Sequence, residues 1–375
     1  MTAETPLVTL TNIASPPPVL GLVLQPVQDA VFEQRARRWE LQRVSAKLLF
    51  GHRVGVCMHT VRAESQGVSV HRRLDKSTYY GGLMVCGSIW ACPVCAGKIT
   101  ERRRKELREG IAAWRGADQH VSMLTLTVPH TREDRAFELV NTLSRIVRAF
   151  WSGKNSPSRM IPGYVGQVRS SEITHGSNGW HPHFHILLFT SEPIPPRIAA
   201  ALRRRWAALV KRHGLGDVNQ HGMRLDDGSR AADYVAKFGR EKRWDMAEEL
   251  TKSQVKRGRS KASRTPWAIL EDAADGCERS GDLWREYVAA MHRKKQLQWS
   301  PGLRAGLGLV EDLTDIEVAT EDADTRDDEV ALFMSRSEWK IVLRAGMRYT
   351  LLHLARELPE AALYDYLERW GRLNA

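Results

Sequence analysis

No stretch of this 375-residue chain approaches the roughly 20 consecutive apolar residues that a membrane-spanning helix requires. The opening MTAETPLVTLTNIASPPPVL also lacks the basic-then-apolar pattern of a secretory leader, so a cytoplasmic location is expected, with no membrane partner. No Gly-x4-Gly-Lys-Ser/Thr loop is present, and nothing suggests ATP hydrolysis. No internal repeat is evident. Cysteine is scarce, with five in all, and in a cytoplasmic chain these are expected as reduced thiols rather than as a disulfide framework.

Acidic residues are outnumbered, and those present are bunched. The net charge is +12, yet residues 311–329 (EDLTDIEVATEDADTRDDE) hold ten acids and one Arg, leaving about +21 on the remainder. Such a surplus attracts polyanions, because each phosphate neutralised releases condensed counterions.

The length allows two or three domains at ~100–200 residues each. Composition divides the chain into a flexible arm (1–30), a basic helix with a Cys-rich segment (31–115), a core (116–250), a basic linker with a Trp-containing accessory segment (251–310), an acidic linker (311–330) and C-terminal helices (331–375). Strand–helix–strand–strand–helix order over 120–240 predicts an α+β fold. Its antiparallel sheet is ferredoxin-like in outline, with helices on one face and a mostly helical C-terminal region behind it. In that tail, Ser335 and Glu338 have capping-box spacing.

Three of the five cysteines are tightly clustered, as Cys86-x5-Cys92-x2-Cys95. That is knuckle spacing, and Cys57 is free to complete a tetrahedral structural zinc site, with His59 or His71 as substitutes. Cys277 stands alone. The helix that follows carries Arg102, Arg103, Arg104, Lys105 and Arg108, which read either as a DNA contact or as a solvated face.

The stretch GWHPHFHILLF (179–189) places His181, His183 and His185 at every second position. On a strand all three imidazoles share one face, while Phe184, Ile186 and Leu188 share the other. Folding 164–189 as a hairpin about GSNG sets Glu172 opposite His183. Two imidazoles and a carboxylate with open positions suit Mn²⁺ or Mg²⁺ holding a phosphate oxygen. His181, beside the turn and before Pro182, is the weakest ligand candidate of the row.

In DYVAKF, Tyr234 and Lys237 lie at i and i+3 on one helix face. A phenol with pKa ~10 needs a cation to become a nucleophile near neutrality, and both a metal and Lys237 can supply one. In that order MLTLTV, GWHPHFHILLF and YVAK resemble the three motifs of the HUH endonucleases, and more narrowly the rolling-circle replication initiators of small bacterial plasmids. CGSIWACPVC before the first motif and QLQWSPGLRAGLGL after the third are similar to what that family carries.

The resemblance implies an HUH sheet in which His183, His185 and Glu172 bind the metal. It also implies that Tyr234 is the nucleophile and that Lys237 positions the phosphate. Nicking at a plasmid double-strand origin would leave a 5′-phosphotyrosine and a free 3′-OH primer, with rejoining at termination. A host helicase and DNA polymerase would be partners, and the C-terminal region could dimerise the protein. Some relatives place a Glu four residues before the tyrosine. Here that position is Arg230, and Asp233 is the nearest acid. Rival readings are an HUH transposase or relaxase, a histidine-triad nucleotide hydrolase, and a zinc-dependent DNA-binding regulator without catalysis.

Overall fold

The protein is described by a computed structural model over residues 30–114, 119–226, 263–309, 312–320 and 328–373. Asp233, Tyr234 and Lys237 lie outside the described residues, as does nearly all of the basic stretch 251–265. In chain order the strands are β1 (Gly67–Arg72), β2 (Thr78–Gly81), β3 (His120–Thr127), β4 (Tyr164–Gly176), β5 (Gly179–Thr190), β6 (Met223–Asp226), β7 (Leu297–Trp299) and β8 (Glu329–Ser335). The helices are α1 (Ala30–Leu48), α2 (Pro93–Trp114), α3 (Ala136–Phe150), α4 (Pro157–Met160), α5 (Pro196–Arg212), α6 (Pro266–Ala274), α7 (Glu278–Met291), α8 (Leu303–Gly306), α9 (Asp315–Thr320), α10 (Arg336–Arg344), α11 (Arg348–Leu354) and α12 (Glu360–Leu373). The chain divides into two compact units, one of residues 1–99, 273–277 and 313–375, the other of 100–272 and 278–312.

The first unit joins the two ends of the sequence. β1 pairs antiparallel with β2 on one side and with β8 on the other. Val68 and Val70 from β1, and Leu332 and Met334 from β8, bury against Trp339, Val342, Leu351 and Leu363 of the C-terminal helices. Trp339 donates its indole N–H to the His59 carbonyl at 2.8 Å, so the polar tip of the largest core ring is satisfied. The expected Ser335–Glu338 capping box is present and starts α10 immediately after β8. The sequence reading treats 331–375 as helices separate from 31–115, and the structure corrects it. Residues 329–335 bury Ala331, Leu332 and Met334 and form a strand paired with β1. Part of the acidic stretch is helical as α9.

The second unit is built on a five-stranded antiparallel sheet in the order β6-β3-β5-β4-β7. Apolar residues recur along α3 at helical spacing (Leu139, Leu143, Ile146, Val147, Phe150), and this stripe packs with Leu202, Trp206 and Val210 of α5 on one sheet face. That face presents Leu124, Leu126, Phe184, Ile186 and Leu188.

Helices are not confined to that side. Leu107 and Ile111 of α2 cover Met123, Val168, Leu187 and Phe189 on the opposite face. The reason is in β5 itself: Leu187 and Phe189 continue the parity of His181, His183 and His185. One face of that strand is therefore imidazole-bearing at one end and apolar at the other, and only the apolar end requires a cover. The Trp-containing segment is not an accessory. Its Leu297–Trp299 pairs with Val168–Ser170 and extends the sheet as β7.

Candidate functional site

β4 and β5 form a long hairpin whose register runs from Gly176↔Gly179 at the turn to Glu172↔His183, as symmetric folding about GSNG predicts. Gly179 adopts φ +83°, a conformation costly for side chains, and a Cβ there would stand 2.8 Å from the Thr131 carbonyl oxygen. The turn thus fixes which carboxylate meets which imidazole. A slip of one residue would send Glu172 to the wrong face.

Glu172 Oε2 lies 3.2 Å from His183 Nε2 and 3.5 Å from His185 Nε2. The two imidazoles are mostly covered, at 13% and 16% side-chain exposure, whereas Glu172 keeps 39%. The other nitrogen of each ring is already engaged: His183 Nδ1 lies 3.3 Å from the His181 carbonyl, and His185 Nδ1 lies 3.1 Å from the Thr125 hydroxyl. A carbonyl can only accept, so His183 Nδ1 is the donor in that contact, and Nε2 is the ring atom that faces Glu172. Burial opposes a charge on Glu172, but its hydrogen bonds with His183 and His185 prevail and hold the carboxyl well below the usual range. One oxygen and two imidazole nitrogens, all within 4.8 Å of one another, form a donor set that fits a small divalent cation.

His181 does not join this group. Its ring turns toward His130, with the Nδ1 atoms 3.5 Å apart and the ring centroids 4.8 Å apart. Burial first, then the neighbouring His183 and His130, pull its pKa down to about 4. Sequence reasoning missed His130 and Thr125. Thr125 could have been found, because strand β3 pairs it directly with His185; for His130, just past the strand-ending Pro129, no pattern gave notice.

In the first unit the sulfurs of Cys57, Cys86, Cys92 and Cys95 converge, all of them buried. Cys95 Sγ is 3.5 Å from that of Cys57 and 3.6 Å from that of Cys86, and Cys57 to Cys92 is 3.7 Å. Zn–S bonds of ~2.3 Å place tetrahedral sulfurs roughly 3.8 Å apart, so this spacing fits a zinc ion and is far too long for a disulfide. Backbone N–H groups of Cys86, Ser88 and Cys95 point at sulfurs of the cluster, as does the Gln42 side-chain amide. Without a cation two of these thiols are driven apart: hydrogen bonds with the other three hold Cys95 well below the ordinary thiol range, while burial pushes Cys92 well above it. A dication would remove that conflict by letting all four ionise. His71 lies apart on β1, hydrogen-bonded to Ser69 and stacked on Tyr79. Cys277 is exposed and separate.

The basic residues of α2 divide between the interior and the surface. Arg103 and Arg104 are buried, the first paired with Glu106 at 3.1 Å and the second with Glu101. Glu106, itself buried, also receives Arg304 at 3.0 Å and Arg102 at 3.5 Å. Lys105 is exposed and only loosely paired with Glu109 at 3.9 Å, and Arg108 is exposed. Much of the charge that the sequence displays on this helix is therefore spent inside the fold.

No family model matches the chain, and no solved structure matches it. Among characterised proteins it is similar to "Protein rep" of Streptomyces lividans. The two are 27% identical in an alignment 355 residues long that takes in 76% of this chain and 75% of that one. A "Neomycin resistance protein" of Streptomyces cyanogenus is 32% identical over 133 residues, covering 28% of this chain and 30% of that protein. The chain thus resembles a Streptomyces Rep protein along most of its length.

Proposed function

We propose that the chain is a plasmid replication initiator of the HUH type, which nicks one DNA strand by transesterification onto Tyr234. The observation that carries this reading is the convergence of His183, His185 and Glu172 on one face of a hairpin. Similarity to the Streptomyces lividans "Protein rep" supports the replication context. The strand order β6-β3-β5-β4, with α3 following β3 and α5 following β5, is the order of a ferredoxin-like core and supports an HUH sheet with β7 added at its edge.

His183, His185 and Glu172 would hold Mn²⁺ or Mg²⁺, which supplies Lewis-acid polarisation of a phosphodiester. The protein's own groups do the rest. Thr125 and the His181 carbonyl fix the imidazoles. The Tyr234 oxygen attacks phosphorus and forms the P–O(Tyr) bond, while the P–O3′ bond breaks. The departing oxygen takes a proton to become the primer 3′-OH. Lys237, three residues on in the sequence, would hold the phosphate. An aryl phosphate ester retains the energy of the cut linkage, so the strand can be rejoined without ATP. The Cys cluster would hold structural zinc. Origin DNA, a host helicase and a host polymerase are the partners this role requires.

The test is a denaturing gel after incubation with Mn²⁺ and a single-stranded origin oligonucleotide. A covalent adduct is expected from the unaltered chain and none from Tyr234→Phe, which should still bind the oligonucleotide. An adduct that survives Tyr234→Phe, or hydrolysis of a nucleoside phosphoramidate in EDTA that His183→Ala stops, would overturn the reading.

A further inference from the structure

The row of strand pairs that contains His185 continues sideways to the edge of the sheet. His185 on β5 lies opposite Thr125 on β3, and Thr125 lies opposite Arg224 on β6, the edge strand. Directly paired residues point to the same face, so Arg224 leaves the sheet on the side of His183, His185 and Glu172. Two strand spacings of roughly 4.8 Å put its Cα about 10 Å from that of His185. The five strands hold one other Lys or Arg, Arg169, which pairs with Ile186 and belongs to the opposite face. Along the same face α2 covers the next residues, Met123 and Leu187, whereas the Arg224 side chain keeps 51% exposure. Arg224 Nε donates to Asp226 Oδ1 at 2.8 Å, and Asp226 is 12% exposed. Among the described residues Asp226 is the one polar partner of Arg224. A carboxylate that holds the guanidinium by Nε steadies it and leaves the Nη hydrogens for a second anion, in the planar fork that suits phosphate oxygens.

We propose that Arg224, steadied by Asp226, grips the phosphodiester adjoining the one held at His183, His185 and Glu172, so that the DNA strand crosses β3 toward the β6 edge. The inference rests on the reading of the chain as acting on DNA. Thr125 stands between Arg224 and His185, and the separation is wider than one phosphate group, so the two positions take successive phosphates of one strand. A contact of this kind sets the register of the strand and does not read its bases.

The experiment measures binding of random-sequence single-stranded oligonucleotides to the full chain carrying Tyr234→Phe, with Mn²⁺ and at several salt concentrations. Adding Arg224→Gln should weaken binding about 10-fold or more and lower the slope of log K against log salt by about 0.7. Arg224→Lys should keep the slope and recover only part of the affinity. Mn²⁺ affinity without DNA, from calorimetric titration, should not fall in Arg224→Gln. Arg145→Gln, exposed on α3 against the opposite sheet face, is the control for loss of charge and should leave affinity nearly unchanged. The thermal midpoint checks folding. Unchanged affinity and slope in folded Arg224→Gln overturn the contact and leave the Tyr234 adduct test standing. A loss equalled by Arg145→Gln, or one matched by weaker Mn²⁺ binding without DNA, overturns it as well. No adduct from the unaltered chain, with the slope still lowered by Arg224→Gln, would instead sink the nicking reading and keep the contact.

Discussion

A histidine is useful as a ligand only when its ring is held in the right orientation, and here groups outside the ligand set help to hold it. Thr125 Oγ1 sits 3.1 Å from His185 Nδ1, and it reaches that atom because β3 and β5 are in register at this pair. Thr125→Val keeps the shape and removes the hydroxyl. We expect Mn²⁺ affinity to fall about 10- to 100-fold, measured by calorimetric titration, with folding little changed. Equal affinity would show that the hydroxyl does not orient the ring. His71 makes a separate point about protons. Burial, only partly opposed by Asp328, lowers its pKa from 6.5, and its Nδ1 is buried without a partner. In the unfolded chain it takes a proton near 6.5, while the folded chain resists. Protons therefore favour unfolding in that window, and stability is full above about 6.5 and falls as the pH drops through it. Denaturant titrations from about pH 8 to about pH 5 should show a shallower decline for His71→Gln than for the unaltered chain. Identical declines would assign the acid sensitivity elsewhere.

At the level of elements, β8 and α10 meet at Ser335, which ends one and caps the other. Its side chain accepts from the Glu338 amide while Glu338 reaches back to the Ser335 amide. Ser335→Ala should cost about 1 kcal/mol in chemical unfolding; no change would mean that α10 is held by Trp339 and Val342 alone. This element also shows what a sequence reveals and what it hides. The β4–β5 register was legible because a tight turn leaves the pairing no freedom, and the meeting of Glu172 with His183 came with it. The capping box was legible because its two residues are local. The β1–β8 pair was not, since its partners stand more than 250 positions apart and nothing in either strand names the other. The partners of the α2 arginines were hidden for a related reason: charge is visible in a sequence, but the carboxylate that a given arginine meets, such as Glu106 beside Arg103, is not.

For the whole molecule, the two units depend on different chemistry. The second has a sheet buried on both faces by α2, α3 and α5. The first has a three-stranded sheet and a buried thiol cluster. Cys92→Ser should lose one zinc per chain by elemental analysis and open the first unit. Limited proteolysis should then cut within residues 30–99 and 328–373 well before it cuts within 119–226. Cleavage spread evenly over the chain would show that the two units melt together.

The distant partnership of β1 with β8 also orders events in time. Val68 and Val70 leave the ribosome early and find their covering strand only after residue 335 has followed. The hairpin bearing the imidazoles is complete some 140 codons sooner. A nascent chain can therefore carry a finished cluster of Glu172, His183 and His185 while the apolar side of its first strands still waits for cover, and any message truncated before that point leaves Val68 and Val70 bare and prone to aggregate.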